Sequence, residues 1–152
     1  MKPYSNVTFD ELAVGASARV CRALTQSEIE ALVLVSGDIE PFQLEDETAG
    51  PDEPLSVDAV GTAAVISGLL ERRLPGPGTR IVSQQLEFDG RIRVGDELAV
   101  TVTVREKRPA SGLVVLDCEA KVGERRVLWG QTVVEAPRRR IAYSDIATPA
   151  IV

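Results

Sequence analysis

The sequence predicts an α+β fold in which one long apolar helix is wrapped by an antiparallel sheet. Three observations carry this. Residues 58–70 are apolar or small almost throughout (Ala59, Val60, Gly61, Ala63, Ala64, Val65, Ile66, Gly68, Leu69, Leu70), too long for one strand and apolar on all sides, which describes a helix buried on every face. From Arg80 onward the apolar period changes to two, with Leu98, Val100, Val102 and Val104 on one face of a strand and Thr101 and Thr103 on the other. Third, 152 residues with 44% hydrophobic content suit one domain with one core. With only six aromatic residues (one Trp, two Tyr, three Phe), that core is built from Val, Leu, Ile and Ala.

Each element follows from local chemistry. Phe9-Asp10-Glu11-Leu12 leads into a turn at Val14-Gly15, and residues 17–24 alternate loosely as a short strand. Thr25-Gln26-Ser27-Glu28 is a capping box: the threonine hydroxyl accepts from the backbone three residues on, and Glu28 reaches back. The helix it opens carries Ile29, Leu32, Val33 and Val35 and stops at Ser36-Gly37. Residues 38–56 hold Pro41, Pro51, Pro54 and a run of acidic residues and read as a solvated loop. Ser56 or Asp58 caps the long helix; Arg72 and Arg73 suit its C-terminus, and Leu74-Pro75-Gly76-Pro77-Gly78 ends it. Four strands complete a meander over residues 81–88, 98–104, 113–122 and 127–134, with turns at Gly95-Asp96, Ser111-Gly112 and Gly123-Glu124. Residues 1–137 form the domain, and residues 138–152, opening on Arg138-Arg139-Arg140, read as an exposed tail. A single curved sheet covers only part of an all-apolar helix, and an open sheet edge invites pairing, so a dimer is expected.

Composition narrows the chemistry. There is no histidine, so there is no Ser-His-Asp triad, no Cys-His pair and no His-ligated metal, and acid–base work falls to Asp, Glu, Cys, Tyr or Lys. Seventeen basic against twenty-three acidic residues give a net charge of −6, which argues against nucleic acid. Cys21 and Cys118 form no C-x-x-C or metal-spaced cluster and read as small apolar side chains in a reducing cytosol. The first residues have no apolar signal-peptide region, and no apolar run approaches the ~20 residues of a membrane span. The expectation is a cytoplasmic protein with no metal and no membrane or nucleic-acid partner.

Ser36-Gly37-Asp38-Ile39-Glu40-Pro41-Phe42-Gln43 resembles the S-G-D-x-N-P-x-H signature of the MaoC-like, (R)-specific enoyl-CoA hydratases. Phe9-Asp10-Glu11-Leu12-Ala13-Val14-Gly15 is similar to the family's F-x-D-L-x-V-G opening, and Leu74-Pro75-Gly76-Pro77-Gly78-Thr79 to the turn after its central helix. Gln84, Phe88 and Val94-Gly95-Asp96 resemble its Q-x-x-x-F and V-G-D elements. The resemblance spans about Phe9 to Pro137 and is strongest to the hydratase-like domain fused ahead of phosphate acetyl/butyryltransferases. It implies a hot-dog fold, a homodimer, and a coenzyme A thioester as substrate or ligand with no further cofactor.

The signature also departs from the family. Asp38 stands at the Asp position, Glu40 replaces the Asn and Gln43 the catalytic His. In the family the Asp and His together position a water, take its proton and protonate the α-carbon; Gln43 holds a water but exchanges no proton near neutral pH. The family's A-H-G-M reads Val57-Asp58-Ala59-Val60 here. The amide near Ala59, at the helix start, remains able to face a thioester oxygen. Asp38, Glu40 and Asp58 together would raise one carboxyl's pKa and leave it able to act as an acid. Pro41 and Gly61 complete the candidate substrate-binding residues. Gly61 and Gly68 either line a tunnel or, more commonly, serve close helix–sheet packing. Arg72, Arg73, Arg80, Arg91 and Arg93 are candidates for coenzyme A phosphates, with surface solvation the commoner role. Three functions stay open: hydration on carboxylates, hydrolysis of acyl-CoA as in hot-dog thioesterases, and non-catalytic binding of acyl-CoA or of a competent homologue as the inert half of a pair.

Overall fold

The computed structural model describes residues 4–36, 56–58 and 60–143. Its elements run β1 (Tyr4–Ser5), β2 (Ser17–Ala23), α1 (Gln26–Ser36), β3 (Ser56–Asp58), α2 (Val60–Arg72), β4 (Arg80–Phe88), β5 (Arg91–Arg93), β6 (Glu97–Arg108), β7 (Leu113–Val122), β8 (Arg125–Glu135) and β9 (Ala142–Tyr143). The main sheet is antiparallel, in the order β2-β6-β7-β8-β4. It is the expected helix-on-sheet arrangement, with one change of topology. β4 does not begin a four-stranded meander; it pairs with β8 at the far edge, Arg80 opposite Glu135 and Phe88 opposite Leu128. The meander is β6-β7-β8, and β2 closes the other side of β6.

Alternation fixes the core face. Leu98, Val100, Val102 and Val104 of β6, Val114, Leu116, Cys118 and Ala120 of β7, and Leu128 and Val134 of β8 are buried together. Ile66, Leu69 and Leu70 of α2 pack into the same core. The fully buried Thr132 lies on this face too, and its hydroxyl is satisfied by the Gln84 amide at 3.2 Å and the Cys118 sulfur at 3.4 Å. Burial pushes the Cys118 thiol pKa up. Cys118 is thus the small apolar side chain expected, whereas Cys21 is exposed on the edge strand β2. Gly130 has φ +152°, and a Cβ there would lie 2.0 Å from the Gln85 carbonyl oxygen, so β8 can approach β4 only as glycine.

Three further expectations change. The long helix begins at Val60, and Ser56–Asp58 is a strand paired with Arg91–Arg93 rather than a cap. The helix is not buried on every face: Thr62, Ile66 and Leu70 are buried, while Ala64 is exposed. The start of the expected tail is docked. Residues 142 and 143 pair with 5 and 4, and the buried Asn6 side chain donates to the carbonyls of Pro77 at 3.1 Å and Arg139 at 2.7 Å and accepts from the Ile141 amide at 3.0 Å. Arg138, Arg139 and Arg140 are exposed as expected, but Arg140 also binds the Asn6 carbonyl and the Glu11 carboxylate.

Candidate functional site

The capping box positions the site. Glu28 accepts from the Thr25 amide at 2.8 Å, and Thr25 Oγ1 accepts from the Glu28 amide at 3.3 Å. The Thr25 amide first, and the Arg22 guanidinium after it, hold the Glu28 carboxyl below its ordinary range. This fixes the start of α1, which then crosses beside α2 and β2.

Between these three elements lies a cavity of about 460 Å³. Its lining follows helical periodicity: Glu28, Ala31, Leu32 and Val35 on α1, and Gly61, Ala64, Val65, Gly68, Leu69 and Arg72 on α2, each set at spacings of three and four. Val20, Arg22 and Leu24 supply the wall from β2 and the residue beyond it. The body is apolar, and the cations collect at one end. There Arg22 pairs with Glu28, Arg73 donates to the Arg19 carbonyl at 3.1 Å, and Arg72 completes the rim with a partner of its own. Val35, in the last turn of α1, also lines the cavity and is 89% exposed.

The expected site residues fall in three groups. Asp38, Glu40, Pro41, Gln43 and Ala59 lie outside the described residues. Asp58 is the last residue of β3, opposite Arg91. Gly61 lines the cavity. Val35 stands three residues before Asp38 in the chain and Gly61 two residues after Ala59, and both Val35 and Gly61 line this cavity. Gly68 also lines it. Nothing lies within 4 Å of a Cβ built on Gly68, so close helix–sheet packing is not its role. Of the candidate phosphate arginines, Arg72 and Arg73 stand at this rim, while Arg80 pairs with Glu135 on the edge strand and Arg91 and Arg93 lie on β5. Sequence reasoning missed the walls from α1 and β2; the signal available was the 31, 32, 35 spacing of apolar residues beside a second helix striped with Gly61, Ala64 and Gly68.

A second depression, about 580 Å³, lies on the outer face of the sheet and differs in kind. Thr101, Thr103, Arg105, Asp117, Glu119, Arg126 and Trp129 line it, and its charges pair across the strands. Arg105 meets Asp117 at 3.3 Å, Gln131 donates to Asp117 at 3.1 Å, and Arg126 reaches Glu119 at 4.0 Å while stacking on Trp129. It is a self-satisfied surface.

No protein-family model matches the chain. It is 32% identical over 136 residues to a 3-hydroxybutyryl-CoA dehydratase of Methylorubrum extorquens, covering 88% of this chain and 87% of that protein. It is 31% identical over 133 residues to an (R)-specific enoyl-CoA hydratase of Rhodospirillum rubrum, covering 86% and 92% respectively. Among solved structures it is similar to the unliganded R-hydratase PhaJ1 of Pseudomonas aeruginosa, with a TM-score of 0.87, 25% identity, and coverage of 99% of this chain and 98% of that one.

Proposed function

The chain belongs to the MaoC-like enoyl-CoA hydratase/dehydratase family, a hot-dog fold, and we propose that it binds acyl thioesters of coenzyme A at the α1/α2 cavity and hydrates trans-2-enoyl-CoA with carboxylates alone. The observation that supports this is that Val35, three residues before Asp38 in the sequence, and Gly61, two residues after Ala59, line one apolar cavity.

The chemistry then assigns roles. Asp38 takes a proton from a water that Gln43 orients, and the water oxygen bonds to the β-carbon. The alkene electrons move onto the thioester, and the amide of Ala59 donates to the enolate oxygen. A neutral carboxyl, Glu40 or Asp58, gives its proton to the α-carbon, and the two carboxyl groups re-equilibrate through solvent. Gly61 leaves room beside the thioester, and Pro41 is the other substrate-binding candidate.

A homodimer is part of the reading, supported by the contrast between the sheet edges. β4 presents Val82 and Phe88, 45% and 42% exposed, whereas β2 is guarded by Arg19, Arg22 and the Arg73 bond to the Arg19 carbonyl. A second copy on β4 covers the apolar side chains. We place the protein in the cytoplasm, in the metabolism of fatty acyl thioesters. Among the described residues no helix is long and apolar enough to cross a membrane.

The test is loss of the conjugated enoyl absorbance of crotonyl-CoA with the purified protein. Turnover falling at least ~100-fold in Asp38→Asn is expected; full activity in that variant overturns the mechanism. Gln43 in the histidine position favours one second reading, binding without turnover as the inert half of a heteromer, which predicts affinity for acyl-CoA and neither hydration nor thiol release.

A further inference from the structure

We propose that residues 4–9, 74–79 and 137–143 form a clasp pinned by the Asn6 side chain, and that this clasp holds the C-terminal end of α2 and with it the Arg72 and Arg73 end of the cavity. The clasp frames the cavity whatever the cavity binds.

Three stretches of backbone, far apart in sequence, converge on one fully buried amide. Asn6 Nδ2 donates to the Pro77 carbonyl at 3.1 Å and to the Arg139 carbonyl at 2.7 Å, and Oδ1 accepts from the Ile141 amide at 3.0 Å. Both donors and the acceptor of the side chain are used, one set on each neighbouring segment. Backbone bonds reinforce the junction: Val7 donates to the Pro75 carbonyl at 2.7 Å, Asn6 to Ile141 at 3.1 Å and Phe9 to Pro137 at 2.8 Å. The segments also approach too closely for a side chain between them. A Cβ on Gly78 would lie 2.8 Å from Ile141 Cδ1, and one on Gly76 would lie 3.1 Å from Asn6 Cα. On the outside, Arg140 donates to the Asn6 carbonyl and the Glu11 carboxylate, while Glu11 accepts from the Thr8 amide at 2.9 Å. Phe9 lies within reach of two cations, Lys107 at 4.7 Å and Arg138 at 5.2 Å from its ring centre.

The lever to the cavity is the turn after α2. The Gly76 amide donates to the Leu70 carbonyl at 2.8 Å, and the Arg73 and Leu74 amides donate to Leu69 at 3.0 and 3.3 Å. The carbonyls that the clasp holds, Pro75 and Pro77, are thus tied directly to the last turn of α2. Leu69, Arg72 and Arg73 of that turn line the cavity, and Arg73 reaches across to the Arg19 carbonyl of β2 at 3.1 Å. The β6-β7-β8 sheet, in contrast, is held by its own ladders. Loss of the pin therefore releases the clasp and the end of α2 as one unit and leaves the sheet closed.

The experiment is hydrogen exchange, read by mass spectrometry on the full chain, for the wild type, Asn6→Asp and Arg140→Ala. Asn6→Asp keeps the size and the acceptor for Ile141 but removes both donors, leaving two carbonyls without their partner. Exchange in residues 4–9, 74–79 and 138–143 is expected to accelerate together by at least about tenfold, with residues 67–73 of α2 moving with them and residues 98–104 and 114–120 unchanged. Arg140→Ala, at an exposed side chain, is expected to give the same pattern at about threefold. Where Asn6→Asp fails to fold, the pattern in Arg140→Ala decides alone. Acceleration confined to residues 4–9 and 138–143, with 67–79 unmoved, overturns the proposal and leaves only a docked segment. Exchange unchanged throughout in both variants overturns it, and so does equal acceleration of the β6-β7-β8 sheet.

Discussion

The cavity between the helices and the depression on the outer face of the sheet are of comparable size, about 460 and 580 Å³, yet opposite in chemistry. The outer one is paved with charges that have already found partners across neighbouring strands, Arg105 with Asp117 and Arg126 with Glu119. A ligand arriving there must displace interactions and gains little apolar contact. The inner one is walled mostly by apolar side chains, and its charged lining among the described residues is Arg22, Glu28, Arg72 and Arg73. Volume alone therefore does not mark a site; unspent binding capacity does.

The largest expected effect belongs to the outer surface and concerns stability rather than function. Gly130→Ala places a Cβ 2.0 Å from the Gln85 carbonyl oxygen at a φ of +152°, and should cost about 3 kcal/mol, read as a fall in denaturant midpoint. A loss under about 1 kcal/mol would show that β4 shifts freely. Next comes Ala64→Trp, which fills the inner cavity and should weaken acyl-CoA binding more than about tenfold at nearly unchanged Tm. Third is Glu28→Gln at the cavity rim. It keeps the helix but weakens the reciprocal cap and the Arg22 pair, and should cost about 1 kcal/mol. Because the folded pKa of Glu28 is lowered below the ordinary 4.5, its contribution is present above that value and lost as pH falls through the folded one. The Tm difference between wild type and Glu28→Gln should thus be full at neutral pH and vanish in acid; a difference constant with pH would contradict this. The smallest effect is Asp117→Asn, on an exposed pair, expected to change stability by less than about 0.5 kcal/mol and acyl-CoA affinity not at all.

The same contrast explains what was legible in the sequence. The capping box at Thr25 and Glu28 and the hairpins of β6-β7-β8 were, because their signals are local: a side chain three residues away, or a turn between alternating runs. The placement of β4 beside β8 was not, since alternation says that a strand exists and not which strand it pairs with. Ser56 or Asp58 suggests a helix cap because three residues carry no period, and only Arg91–Arg93 opposite makes Ser56–Asp58 a strand. The docking of Ile141 depends on Asn6, 135 residues away, which no local pattern announces. The apolar run of α2 suggests burial on all sides, although its Gly61-Ala64-Gly68 stripe lines a cavity; a cavity is missing volume among distant residues, and hydrophobicity alone does not distinguish it from core. The Asp38 signature, in contrast, was plain in the sequence and named the family.

The most direct measurement is calorimetric titration of octanoyl-CoA into the wild type, Ala64→Trp and Trp129→Ala. The account predicts affinity lost by more than about tenfold in Ala64→Trp and unchanged in Trp129→Ala. Binding that survives Ala64→Trp but is lost in Trp129→Ala would contradict it, and would move the ligand to the outer face of the sheet.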